Sequence, residues 1–189
     1  MSFRQPETKQ SIYFGYGSNL CQGQMQLRCP KSRFLGLGRL SDYRWMINDR
    51  GYANIVPNQG SQVYGLVYSL EPSDESALDR NEGVPFAYTK KSLEVDFWAS
   101  HDNCNKPNLD KADQKRQTLV YIDRERTTDH RPQAEYIIRM NKGIVDGLRH
   151  GMPEDYVDQS LRKFIPAKGD ESFKEQAERK AARFSEDED

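Results

Sequence analysis

The spacing of apolar positions changes several times along this chain, and each change marks an element. Residues 11–14, Ser-Ile-Tyr-Phe, are aromatic and β-branched and run into Gly15, Tyr16, Gly17, Ser18 and Asn19 before a stretch rich in Leu, Gln and Met. That order predicts a strand, a tight loop and a short helix. Residues 33–40, 42–48, 52–56 and 62–70 are short apolar or aromatic runs separated by Gly, Pro, Asn and Asp, the pattern of four strands. Glu71-Pro72-Ser73 then punctuates the chain. Ser73 is the expected N-cap of a helix over residues 74–81, closed by Gly83, with Glu82 at its C-terminal end. Residues 88–98 alternate, with Leu93, Val95 and Phe97 on one side and Ser92, Glu94 and Asp96 on the other, and residues 117–123 form a second apolar run. Both read as strands. Between them residues 101–116 are polar and aperiodic, which predicts a long hairpin excursion or a mobile insertion.

Ile137, Met140, Ile144 and Leu148 recur at spacings of three and four, an apolar helical stripe that Gly147 and Gly151 can end. Met152 to Tyr156 starts another helix, with Val157, Leu161 and Phe164 inward, stopping before Pro166. Residues 1–10 form a polar, disordered lead, residues 11–168 one domain, and residues 169–189 a charged tail or surface helix. Strands, a helix, more strands and then helices suggest a mixed α/β domain on a closed or nearly closed antiparallel sheet.

The length of 189 residues suits one domain, or a small domain with a long tail. Only 35% of residues are hydrophobic, 30% are charged and the mean hydropathy is −0.93, so polar loops or tails dilute an ordinary core. Lys and Arg number 28 against 29 Asp and Glu, a net charge of −1. The positive surplus that nucleic-acid binding draws on is missing. No apolar stretch approaches 18 residues and the lead has no apolar segment, so the expectation is a cytoplasmic protein without a membrane partner. Cys21, Cys29 and Cys104 are odd in number and form no CxxC pair, which fits free thiols in a reducing compartment.

Two segments could carry chemistry. A strand that ends in glycines and turns into a helix aims backbone N–H groups in one direction, a cradle for a carboxylate or oxyanion, although the same glycines could serve only to allow positive φ. The loop is neither a Walker motif, since no Lys-Ser/Thr follows, nor a GxGxxG, since Leu20 takes the last glycine place. Asp79 and Glu82, three apart, share a helix face and are either a working carboxylate pair or a solvated surface. A Glu at a helix C-terminus meets the negative end of the dipole, which raises its pKa toward that of a useful base. His101, His130 and His150 show no metal-ligand spacing, and neither metal nor cofactor is expected. Cys21, near a helix start, is a nucleophile or a small hydrophobe.

Tyr13-Phe14-Gly15-Tyr16-Gly17-Ser18-Asn19-Leu20, then residues 63–68 (Val-Tyr-Gly-Leu-Val-Tyr), then residues 78–84 (Leu-Asp-Arg-Asn-Glu-Gly-Val) with Tyr88, resemble the γ-glutamylcyclotransferase family in order and separation. Glu135-Tyr136, Gly143, Gly151-Met152-Pro153 and Tyr156 are similar to that family's C-terminal half. The resemblance covers residues 12–166 without 101–116. Gly15 stands where the family often has alanine, and the helix after Tyr136 is about one residue shorter than usual. The resemblance implies a mixed α/β (α+β) fold, a small antiparallel-rich β-barrel flanked by helices, with a cavity between the glycine loop and the end of the Glu82 helix. It implies conversion of a γ-glutamyl amino acid or peptide to 5-oxoproline and a free amine, with Glu82 as general acid/base and no cofactor. Tyr13, Phe14, Gly15, Tyr16, Gly17, Ser18, Asn19, Tyr88 and Tyr136 are its substrate-binding residues. A γ-glutamylamine or glutathione-conjugate substrate, a non-catalytic binding module on the same scaffold, and a homodimer all stay open.

Overall fold

The computed structural model describes residues 10–100 and 106–167. Residues 1–9 of the lead, His101, Cys104 and the 169–189 tail lie outside the described residues. The elements run β1 (Ser11–Gly15), a 3₁₀ turn (Ser18–Leu20), α1 (Gln22–Arg28), β2 (Arg33–Ile47), β3 (Ala53–Leu70), α2 (Pro72–Asn81), β4 (Thr89–Ala99), β5 (Gln114–Ile122), α3 (Ala134–Arg149) and a helical turn α4 (Glu154–Tyr156) that continues as a π turn (Val157–Leu161). The five strands close into a barrel in the order β1-β3-β2-β4-β5. Neighbours are antiparallel except β1 and β5, which pair in parallel at Tyr13 and Leu119. Closure gives each strand two neighbours over part of its length and buries Phe14, Leu66, Val67, Phe97 and Val120 almost completely.

The four expected strands between residues 33 and 70 are two long ones. Pairing of β2 with β3 runs from Arg33↔Ser69 to Ser41↔Gln62, shifts, and resumes from Tyr43↔Pro57 to Ile47↔Ala53. The polar run that looked like a turn is a bulge, where Asp42 takes a φ of 62° and its carboxylate accepts the Gly60 amide at 2.9 Å. β4 and β5 pair antiparallel on either side of the 101–116 segment, whose residues 101–105 lie outside the described residues, and β5 begins at Gln114 rather than 117. The Trp98 indole ties residues 106–113 down by donating to the carbonyls of Asn108 and Lys111 at 2.8 and 2.9 Å.

α2 starts at Pro72 with Glu71 as its cap residue, not at Asp74 behind Ser73, because proline's fixed φ suits the first helical position. Leu78 is fully buried and anchors this helix to the barrel, a contact whose truncation typically costs about 2–5 kcal/mol. On α3 the expected stripe is buried at Ile137, Met140 and Ile144, and Asp146 accepts the Gln22 amide at 2.9 Å, fixing the start of α1. The last expected helix is one α turn and one π turn. Val157 and Leu161 are buried, and the half-buried Phe164 lies against Trp45 with ring centroids 5.7 Å apart. No helix among the described residues is long and apolar enough to cross a membrane.

Candidate functional site

β1 delivers the chain to a turn whose glycines are not there for positive φ. Gly17 has φ −104° and ψ −140°, and Gly15 is absent from the positive-φ glycines. Crowding explains Gly17, since a Cβ there would stand 2.8 Å from the Tyr136 hydroxyl. That hydroxyl oxygen accepts the Ser18 amide at 3.1 Å. Tyr136 lines the cavity, and its O–H hydrogen has no acceptor among the described residues. Burial pushes this phenol up to about 12, so it is a protonated donor at neutral pH.

Glu82 caps the C-terminus of α2, and its amide returns to the Leu78 carbonyl at 2.8 Å. The side chain is half-buried and faces a cavity of about 220 Å³. Burial raises its pKa above the usual Glu value, while the charges of Arg28, Arg139 and Arg50 and a hydrogen bond from Asn19 pull it partly back. Among the described residues no cation forms an ion pair with it. Asn19 reaches it across the cavity with a long Nδ2···Oε1 contact of 3.5 Å and donates to the Tyr13 hydroxyl at 2.9 Å. The orientation of that amide is fixed from behind, because its Oδ1 accepts Gln24 Nε2 at 2.9 Å and Arg28 Nη1 at 3.0 Å.

Tyr13, Tyr16, Gly17, Ser18, Asn19, Glu82, Tyr88 and Tyr136 therefore line one cavity. Tyr16 is held by its hydroxyl on the Tyr121 carbonyl at 2.6 Å, and Tyr88 by its hydroxyl on the Ala53 carbonyl at 2.8 Å. Phe14 and Gly15 are not among the lining residues. Alternation along β1 turns Phe14 away from Tyr13 into the barrel core, where it packs against Gly38 and Gly65 with no exposure. The Ser18 amide is already engaged by Tyr136, so this residue meets the cavity mainly by placing that tyrosine.

Arg28, Arg50, Tyr52 and Arg139 also line the cavity, with Ala53, Asn81 and Tyr121, and sequence reasoning missed the arginines. No period or motif marks them, because they come from α1, the β2–β3 turn and α3. Asp79 does not join Glu82 at the cavity. It pairs with Lys90 at 2.7 Å and accepts the Tyr121 hydroxyl at 2.8 Å. His130 is exposed, and the His150 ring lies on Phe34 with centroids 4.2 Å apart. Cys21 is half-buried outside the cavity lining, and Cys29 is buried, which pushes its thiol up to about 12. No group of three or more His, Cys, Asp or Glu that could hold a metal ion occurs among the described residues.

A five-stranded barrel that recesses one carboxyl opposite a glycine turn has the fold of the γ-glutamyl cyclotransferases. A solved structure named gamma-glutamyl cyclotransferase superposes with a TM-score of 0.64 and 20% identity, over 90% of this chain and 99% of its own. A human protein described as uncharacterized gives 0.66 and 22%, over 85% and 90% of the two chains. A family model described as gamma-glutamyl cyclotransferase, AIG2-like, matches residues 13–137, and the chain belongs to that family. Human gamma-glutamylcyclotransferase is 32% identical over 89 residues, 42% of this chain and 47% of the human protein. The chain spans about half the length of the curated relatives it matches.

Proposed function

We propose that the protein is a γ-glutamyl cyclotransferase that releases 5-oxoproline and a free amine from a γ-glutamyl amino acid or peptide, with Glu82 as general acid/base. The observation that carries this reading is Glu82 itself, a carboxyl with a raised pKa and no ion-pair partner among the described residues, facing the Gly17 turn across a cavity. A paired surface glutamate has no such environment.

The substrate brings its own nucleophile. Its α-ammonium, with a pKa of about 8 or above, gives a proton to the Glu82 carboxylate. The freed amine attacks the γ-carbonyl and closes a five-membered ring. Held in the reactive shape, intramolecular closures reach effective molarities of about 10⁵ M or more, so positioning supplies much of the rate. The tetrahedral oxyanion needs fixed donors, and the Tyr136 hydroxyl, braced by the Ser18 amide, is one candidate, beside the Gly17 and Asn19 amides. Glu82 returns its proton to the leaving nitrogen and the C–N bond breaks; the ring nitrogen gives up its second proton, which leaves on the amine product as ammonium, and the carboxylate is regenerated without a cofactor.

Incubating the purified protein with γ-glutamyl dipeptides, glutathione and γ-glutamyl-lysine, and following 5-oxoproline, tests the reading. Release of 5-oxoproline from at least one of them is expected. Binding of these compounds without any 5-oxoproline would make the protein a binding module on this scaffold instead.

A further inference from the structure

The three arginines near Glu82 are not equivalent. Arg139 is held by Glu135 through two hydrogen bonds of 2.8 Å, and Arg28 donates to Asn19 at 3.0 Å. Arg50 lines the same cavity, yet its Nη1 is buried and finds no hydrogen-bond acceptor among the described residues. Leaving a buried charged donor unsatisfied is unfavourable, and the planar guanidinium fork matches one carboxylate.

The arginine is also held in place. Asn48 is fully buried, and its Oδ1 accepts the amides of Arg50 and Tyr52 at 3.2 Å each, while its Nδ2 donates to Asp123 at 3.1 Å. Gln133, at the start of α3, donates to the Arg50 carbonyl at 3.1 Å. The guanidinium lies over the Tyr52 and Tyr88 rings, 5.7 and 6.0 Å from their centroids. Such bracing removes most of the entropy that a turn arginine would otherwise lose on gripping a ligand.

Arg50 enters the cavity from the β2–β3 turn, a different wall from the Tyr13–Ser18 segment that would hold the glutamyl head. We propose that Arg50 is a specificity-determining residue that recognises a carboxylate on the leaving amine. Preferred substrates are then γ-glutamyl amino acids and peptides with an acid in the leaving part, over γ-glutamyl amines that lack one. This inference rests on the cyclotransferase reading above. It has a catalytic corollary: Arg50 is one of the cations that stabilise ionised Glu82, so a substrate carboxylate on Arg50 offsets that charge and makes the base stronger when substrate arrives.

The test compares γ-glutamyl-L-alanine with γ-glutamylethylamide, which differ only by the carboxylate on the leaving amine. The wild-type protein should favour the dipeptide in kcat/KM by about 10- to 100-fold, the discrimination expected of one charge-assisted hydrogen-bonded pair. Arg50→Gln should bring the ratio close to one, mainly through the KM of the dipeptide, and Arg50→Lys should restore part of it. A wild-type ratio near one overturns the assignment. So does an unchanged ratio in Arg50→Gln, or an equal loss on both substrates at an unchanged melting temperature, and in each case cyclotransferase activity stands. Absence of 5-oxoproline from both, and from every other γ-glutamyl compound, overturns the cyclotransferase reading and this inference with it.

Discussion

Asp79 and Glu82 lie one turn apart at the C-terminal end of helix α2, and the strands beside it surround them differently. Around Asp79, Lys90 bridges to its carboxylate at 2.7 Å and to Glu75 at 2.5 Å, and Tyr121 adds a hydrogen bond, so the cluster fastens α2 to β4 and β5. Around Glu82 the helix has ended, Gly83 has turned the chain at a φ of 63°, and the carboxyl faces a cavity. The two residue types ionise alike in water, so the difference lies in what the barrel supplies. A charge met by a lysine holds the fold, and one sheltered without such a partner is available to take a proton.

The largest effect that separates the two regions is on turnover. Glu82→Gln, nearly isosteric but unable to accept the proton, should lower kcat/KM for 5-oxoproline release by about 10²–10⁴-fold without unfolding the protein. Asp79→Asn should instead lower unfolding free energy in urea by about 1 kcal/mol, with a far smaller effect on kcat/KM. If Asp79→Asn reduced turnover as deeply as Glu82→Gln, the contrast would fail.

Stability gives a third comparison, with a definite sign. Because the folded pKa of Glu82 is raised, the folded state holds its proton over a pH range in which the unfolded chain has lost it, and ionising it costs stability. That cost is absent below the ordinary Glu value of about 4.3, grows as pH rises toward the folded value, and then stays constant. Glu82→Gln should therefore melt higher than wild type at pH 7 and lose the advantage in acid. The smallest effect concerns Arg28, whose charge lowers the Glu82 pKa. Arg28→Gln should move the acidic limb of the kcat/KM profile to higher pH, and a shift the other way would mean that another group sets the limb.

Much of the architecture was legible because it rests on periodicity. The α3 stripe at Ile137, Met140 and Ile144 and the alternation through Val95 and Phe97 report burial directly. The break between the expected strands 33–40 and 42–48 is a bulge, since the exposed polar residues Ser41 and Asp42 mimic a turn while pairing resumes at Tyr43. The glycine turn and Glu82 could be read together only through the family resemblance. Spacing alone does not separate Glu82 from Asp79, and Lys90, the residue that distinguishes them, comes from β4. Phe14 was drawn into the site by its neighbours in sequence, whereas strand alternation sends it into the core. Arg50 carried no signal, because its meaning depends on Asn48, Tyr52 and Gln133 folding around it.

The most direct trial is the titration of the Glu82 carboxyl, followed by carboxyl NMR and assigned by its absence in Glu82→Gln. A sheltered base gives a midpoint above the ordinary value of about 4.3, shared with the acidic limb of kcat/KM. A midpoint at or below that value, or an acidic limb that persists in Glu82→Gln, would contradict the role given to this residue.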